Sequence, residues 1–178
     1  MRKWLTGFLC LVLLGGCTKP LTLEVKDTTK TKDRFSAVFV QKGLVTEDYD
    51  VLFSVEKYLD GTQSIIDEDF TNPTSRKNVI LFRVDSDRKS DETVVNFGTS
   101  DLIYRVKDEP IRGPIFSGVL IDSLKLEPGK PQPIAYWYTN SLTVEQQKMF
   151  EEGSIDMEKL KQDGLLYMLV VEVVEKPE

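Results

Sequence analysis

No histidine occurs among the 178 residues, and the only two cysteines, Cys10 and Cys17, both lie at the N-terminal end. Histidine is the usual general base near neutral pH and the commonest metal ligand. Its absence excludes Ser-His and Cys-His nucleophilic arrangements, and with so few cysteines it also excludes zinc sites built on His and Cys. Beyond Cys17 no two thiols can meet, so neither a redox dithiol nor a disulfide staple is available and packing must hold the fold. Long apolar runs are missing too: the longest uncharged apolar stretch, Trp4 to Gly16, falls short of the roughly 20 residues that span a bilayer as a helix. Basic clusters are scarce, with 23 Lys+Arg against 29 Asp+Glu and a formal charge of −6. Phosphate backbones are bound through clustered Lys and Arg, so nucleic-acid binding is not expected. The same charge disfavours broad docking on anionic lipid. There is no phosphate-binding loop, internal repeat or low-complexity tract.

What is present at the N-terminus is more specific. Arg2 and Lys3 precede the apolar stretch, which ends in Leu14-Gly15-Gly16-Cys17. A positive start, a short apolar segment and small residues before a cut are the parts of an export signal. Leu14-Gly15-Gly16-Cys17 resembles a lipobox, the recognition site of bacterial lipoprotein precursors. The resemblance covers residues 1–17 and implies nothing about the domain behind them. It implies a diacylglycerol thioether on Cys17, acyl chains of the palmitate kind, and cleavage between Gly16 and Cys17. Durable attachment requires at least two chains, since one short chain binds only marginally. An ordinary secretory signal with an incidental cysteine is the weaker reading, because no A-x-A-like site lies nearby, and a retained single-span anchor is weaker still. On this basis residues 1–16 are a signal peptide, 17–20 a lipidated tether, and 21–178 a single β-rich domain. Cleavage removes two basic residues and no acid, leaving 162 residues at −8 with Cys17 as the sole thiol.

Within 21–178 the dominant signal is period-two alternation, the mark of half-buried strands. Leu21, Leu23 and Val25 open the series; Phe35, Ala37 and Phe39 share a face, as do Val51, Phe53 and Val55. The last of these strands reaches Asp60-Gly61, which suits a two-residue type I′ turn, and Thr62 to Ile66 returns from it. Asn78 to Val84 is nearly all apolar and reads as a central strand. Thr93–Phe97, Leu102–Val106, Val119–Leu126, Ile134–Tyr138 and Leu165–Val174 follow, with Pro128-Gly129 suited to a type II turn. Helical signals are confined to the stretch before the last strand. Thr143 and Gln146 form a capping-box pattern, Gly153 is a stop, and Asp156 to Gln162 ends at Gly164. Seven to nine strands and two short helices predict a mainly β fold: a β-sandwich, immunoglobulin-like in architecture, with a short helical insert before the last strand. A half-open barrel and an α+β sheet are the alternatives.

Candidate sites compete with plainer readings. Asp85, Asp87, Asp91 and Glu92 could offer the hard oxygens that calcium prefers, but Arg88 and Lys89 interrupt them, and a solvated hairpin loop explains them better. Ser54-Val55-Glu56-Lys57 and Ser86-Asp87-Arg88-Lys89 match S-x-x-K. On a strand, however, residues three apart point to opposite faces, and partner motifs are missing. Trp137 lies between Tyr136 and Tyr138 and either offers a stacking surface for carbohydrate or a partner, or packs across the sheets. The helical insert either recognises a partner or closes one end of the sandwich.

These residues imply no catalytic group, metal or cofactor. The expected function is that of a membrane-anchored envelope lipoprotein acting as a non-enzymatic binding, scaffolding or assembly module. Its expected partners are the membrane, reached through the lipid, and another envelope protein or polymer. The alternative is a carboxylate-dependent hydrolase acting on envelope polymers. Thr18 rather than Asp after the cysteine resembles the outer-membrane-sorted class if the cell is Gram-negative; in a Gram-positive cell the protein would sit on the outer face of the plasma membrane.

Overall fold

The computed structural model describes residues 20–43, 48–71, 78–87, 92–99, 102–108, 113–140, 148–150, 152 and 154–176. Among them eleven strands are bounded. These are β1 (Thr22–Thr31), β2 (Arg34–Lys42), β3 (Tyr49–Leu59), β4 (Thr62–Thr71), β5 (Asn78–Asp87), β6 (Glu92–Thr99), β7 (Ile103–Asp108), β8 (Ile115–Val119), β9 (Ser123–Lys125), β10 (Gln132–Thr139) and β11 (Leu165–Glu175). A helix, α1 (Met157–Gln162), sits between β10 and β11.

The strands form two sheets, ordered β7-β6-β5-β2-β1-β9 and β4-β3-β11-β10-β8, with antiparallel neighbours throughout. The alternation in the sequence becomes the packing between them. Phe35, Ala37 and Phe39 of β2 and Ile80, Phe82 and Val84 of β5 point inward from the first sheet, toward Val51, Phe53 and Val55 of β3 in the second. Fully burying side chains of this size contributes about 1.5–3 kcal/mol each. This is the expected β-sandwich. Its strand order is its own: β11, the last strand, lies between β3 and β10, whereas immunoglobulin domains place their last strand at a sheet edge.

The local turn expectations are met where they are described. Asp60 and Gly61 have φ values of 46° and 83°, both positive as a type I′ turn requires. Gly129 follows Pro128 with φ 70°. The β5 strand is interior, with β2 on one side and β6 on the other.

Two sequence expectations change. Val119–Leu126 is not one strand: β8 ends at Val119 in the second sheet, residues 120–122 cross over, and β9 pairs with β1 in the first. Both pieces pack on the same core through Val119, Ile121, Leu124 and Leu126, so the apolar spacing runs on while the hydrogen-bond partner changes. That split is one reason the strands number eleven rather than seven to nine. The helical segment also covers a face instead of closing an end. Leu160 and Met149, with Phe150, Ile155 and Met157, pack on Tyr58, Tyr136, Tyr138, Leu166, Met168 and Val170. These strand residues lie on the outer face of the second sheet, which is thus buried on both sides at β10 and β11.

The start of α1 is built by Asp156, whose Oδ1 accepts from the backbone N–H groups of Glu158 and Lys159 at 3.1 and 3.3 Å. Thr143, Gln146 and Gly153, proposed as signals for an earlier helix, lie outside the described residues; residues 148–150 are helical. No helix among the described residues is long and apolar enough to cross a membrane.

Candidate functional site

Leu14, Gly15, Gly16 and Cys17 lie outside the described residues, which begin at Pro20; regular structure starts two residues later, at Thr22. Trp137 is fully buried in the space between the sheets, its ring 5.7 Å from that of Tyr167. Of the two readings of Trp137, packing across the sheets is the one found, and it offers no stacking surface. The odd-numbered face of β10 is inside the sandwich, and the even-numbered face, with Tyr136 and Tyr138, lies under the helical segment, so neither is presented to solvent.

The acidic segment is partly described. Asp85 lies on the outer face of the first sheet, where its carboxylate accepts from Arg34 Nε at one oxygen and from Arg83 Nε, 2.6 Å away, at the other. Asn96 Nδ2 donates to that second oxygen at 3.4 Å. Glu92 pairs with Lys107 at 3.1 Å. Both carboxylates are therefore engaged by cations, Asp85 from β2 and its own strand and Glu92 from β7. The Asp87 side chain and Asp91 lie outside what is described. Among the described residues no group of three or more Asp, Glu, Cys or His could hold a metal.

The most distinctive polar arrangement was not foreseen. Lys57 continues the inward register of Val51, Phe53 and Val55 on β3, and Asp108 continues that of Tyr104 and Val106 on β7. Lys57 Nζ donates to Asp108 Oδ1 at 2.7 Å, and the Tyr167 hydroxyl donates to Oδ2 at 2.6 Å. Tyr167 stands directly opposite Lys57 in the β3–β11 ladder. Lys57 and Asp108 are only 14% and 13% exposed, and Tyr167 is fully buried. The carboxylate at the end of one sheet thus clasps a cation and a phenol from the other. A second tie between the sheets lies four strands from β7, where Lys30 Nζ of β1 donates to the Ser117 carbonyl of β8 at 3.0 Å.

Two buried polar atoms at this level have no hydrogen-bond partner among the described residues: Trp137 Nε1 and Thr93 Oγ1. Thr93 faces Asp108 across the β6–β7 ladder. Charge-assisted bonds such as those on Asp108 are short and strong, and they fix geometry as well as energy. In this arrangement they neutralise a charge that would otherwise be stranded inside the sandwich. The constellation ties the two sheets together. A sequence signal for it existed: Lys57 and Asp108 fall on positions that the alternation assigns to the core, and a charge on a core register needs an opposite charge.

Other titratable groups sit at the helical layer. Burial pushes the Tyr136 phenol up to about 12. Tyr58 is raised further, first by burial and then by its 2.8 Å hydrogen bond to Glu56. A groove of about 360 Å³ lies between Pro128-Gly129 and Glu172–Glu175 at the end of β11. Its two carboxylates, three residues apart on a strand, point to opposite faces and do not converge on one bond. No protein-family model, no curated protein and no solved structure matches this chain.

Proposed function

We propose that the chain is a lipid-anchored envelope protein whose β-sandwich acts by binding, scaffolding or assisting assembly at a membrane surface. The observation that carries this reading is the Leu14-Gly15-Gly16-Cys17 segment behind a charged start and a short apolar stretch. The position of the first strand supports it: Pro20, three residues after Cys17, is followed almost at once by β1. Three residues of fully extended chain reach about 11 Å, so a lipid on Cys17 keeps the sandwich beside the headgroups. The absence of histidine, and of any cysteine after position 17, favours a binding role over nucleophilic catalysis. In this reading the acyl chains set where the protein works, and the sandwich surface sets what it meets there.

Metabolic labelling with a radioactive or alkyne-bearing fatty acid tests the anchor. The wild-type chain is expected to incorporate label and to float with membranes. The Cys17→Ala variant is expected to do neither, and label in that variant would contradict the assignment.

A further inference from the structure

Most large apolar side chains described here are buried or half-buried; the exposed ones are Leu102 and Ile103, at 55% and 53%. They are neighbours at the start of β7. Tyr104 and Val106 point into the core, so Ile103 points outward, in register with half-buried Leu81 of β5 and Val38 of β2 across Gly98. Their presentation is built in. The Thr99 N–H donates to the Leu102 carbonyl at 2.9 Å, folding β7 back on β6. Gly98, with φ 146°, leaves room for that carbonyl: a Cβ there would lie 2.1 Å from it.

The ladders place this pair relative to the tether. Thr22 pairs with Lys42, Gln41 with Asn78, Ile80 with Thr99, and Gly98 with Ile103. The start of β1 and the start of β7 are therefore at the same end of the first sheet. Four strand spacings separate them, about 19 Å. Ile103 lies in the row of Val38, four residues short of Lys42, an offset of about 13 Å along the strands. A surface touching both corners is thus inclined to the strands, and the domain leans.

We propose that Leu102 and Ile103 form a second contact with the lipid bilayer, entering its interface while the lipid on Cys17 holds the chain ahead of β1, four strands away. This rests on the lipid-anchor reading. Exposed aliphatic side chains beside a backbone hydrogen bond that fixes the start of β7 are suited to the headgroup–acyl boundary. The pair needs little affinity of its own, because the tether turns its insertion into an intramolecular event at high effective concentration. Two contacts about 23 Å apart (four strand spacings combined with the offset along the strands) fix the orientation of the sandwich, which one flexible tether does not.

The test uses the mature lipidated protein, in which Cys17 is blocked by its lipid and an introduced cysteine is the sole thiol. Leu102→Cys and, as the control farther along the same strand, Lys107→Cys are labelled with an environment-sensitive fluorophore and reconstituted into phosphatidylcholine vesicles. Emission at 102 is expected to shift to the blue and to be quenched at least twofold by brominated lipid, with 107 remaining water-like and unquenched. Vesicle-bound protein whose two probes behave alike would overturn the second contact and leave the anchor intact. Shielding at 102 in native membranes but not in pure lipid would also overturn it, pointing to a protein partner. Protein that does not float with vesicles would overturn the anchor reading, and this proposal with it.

Discussion

Replacing Asp108 with alanine leaves an ammonium and a phenol facing each other inside the sandwich. Lys57, 14% exposed, loses its counter-charge at 2.7 Å, and the fully buried Tyr167 hydroxyl loses its acceptor at 2.6 Å. Breaking a fully buried pair costs about 3–5 kcal/mol, and leaving a neutral buried group unsatisfied costs about 1–3 kcal/mol. The residual exposure lets some water reach the ammonium, so about 2–4 kcal/mol is expected for Asp108→Ala. With a urea slope near 2 kcal/mol/M, the midpoint falls by roughly 1–2 M. The readout is available within the chain: the tryptophans are Trp4 and Trp137, so protein produced from Cys17 onward carries only the buried Trp137. Its emission reports loss of the inter-sheet core. Lys57→Met alone should also destabilise, whereas Lys57→Met combined with Asp108→Leu should recover much of the loss, giving a coupling above about 1 kcal/mol. Tyr167→Phe removes one hydroxyl and should cost about 1 kcal/mol. An Asp108→Ala midpoint within 0.3 M of wild type (about 0.6 kcal/mol at that slope), or strictly additive single and double variants, would refute the clasp.

Leu160 is the fully buried residue of α1. Leu160→Ala should cost about 2–4 kcal/mol if the helical layer is integral to the fold, and an unchanged urea midpoint would mark it as a detachable appendage. Stability should also fall in alkali. Burial raises Tyr136 to about 12 and lifts Tyr58 higher, so the neutral phenols favour the folded state. Their contribution is complete below the unfolded value near pH 10 and is lost as pH rises toward 12, by up to about 1.4 kcal/mol per pH unit for each group. Urea midpoints at pH 8, 10 and 11.5 should show this decline, and Tyr136→Phe should flatten it; equal slopes would count against the assignment. Because Asp85 is held by Arg34 and Arg83 and Glu92 by Lys107, millimolar calcium should leave the melting temperature unchanged. A rise that chelator reverses would show that the acidic hairpin binds the ion.

The parts of the fold legible in the sequence were those decided by neighbours in the chain. Asp60-Gly61 is readable because a type I′ turn demands positive φ at two adjacent residues, and β2 and β3 are readable because one of their faces is wet. The crossing at residues 120–122 was hidden because its flanking residues serve one core from two sheets. The β11 strand is legible as Leu165–Val174, but why it lacks alternation follows only from the helical layer covering Leu166, Met168 and Val170. Strand alternation puts Trp137 on the opposite face from Tyr136 and Tyr138; which face met solvent depended on that layer, and neither does. The Lys57–Asp108 pair spans 51 residues of chain and two sheets. Each charge was visible on a core register, and the topology that joins them was not.

The most direct test of the central claim is the mass of the N-terminal peptide from protein extracted out of its own membranes. Lipidation of Cys17 followed by cleavage before it predicts a peptide that begins at Cys17 and carries the mass of a diacylglycerol thioether, with no peptide from residues 1–16. A peptide retaining those residues, or one beginning elsewhere with an unmodified Cys17, would contradict it.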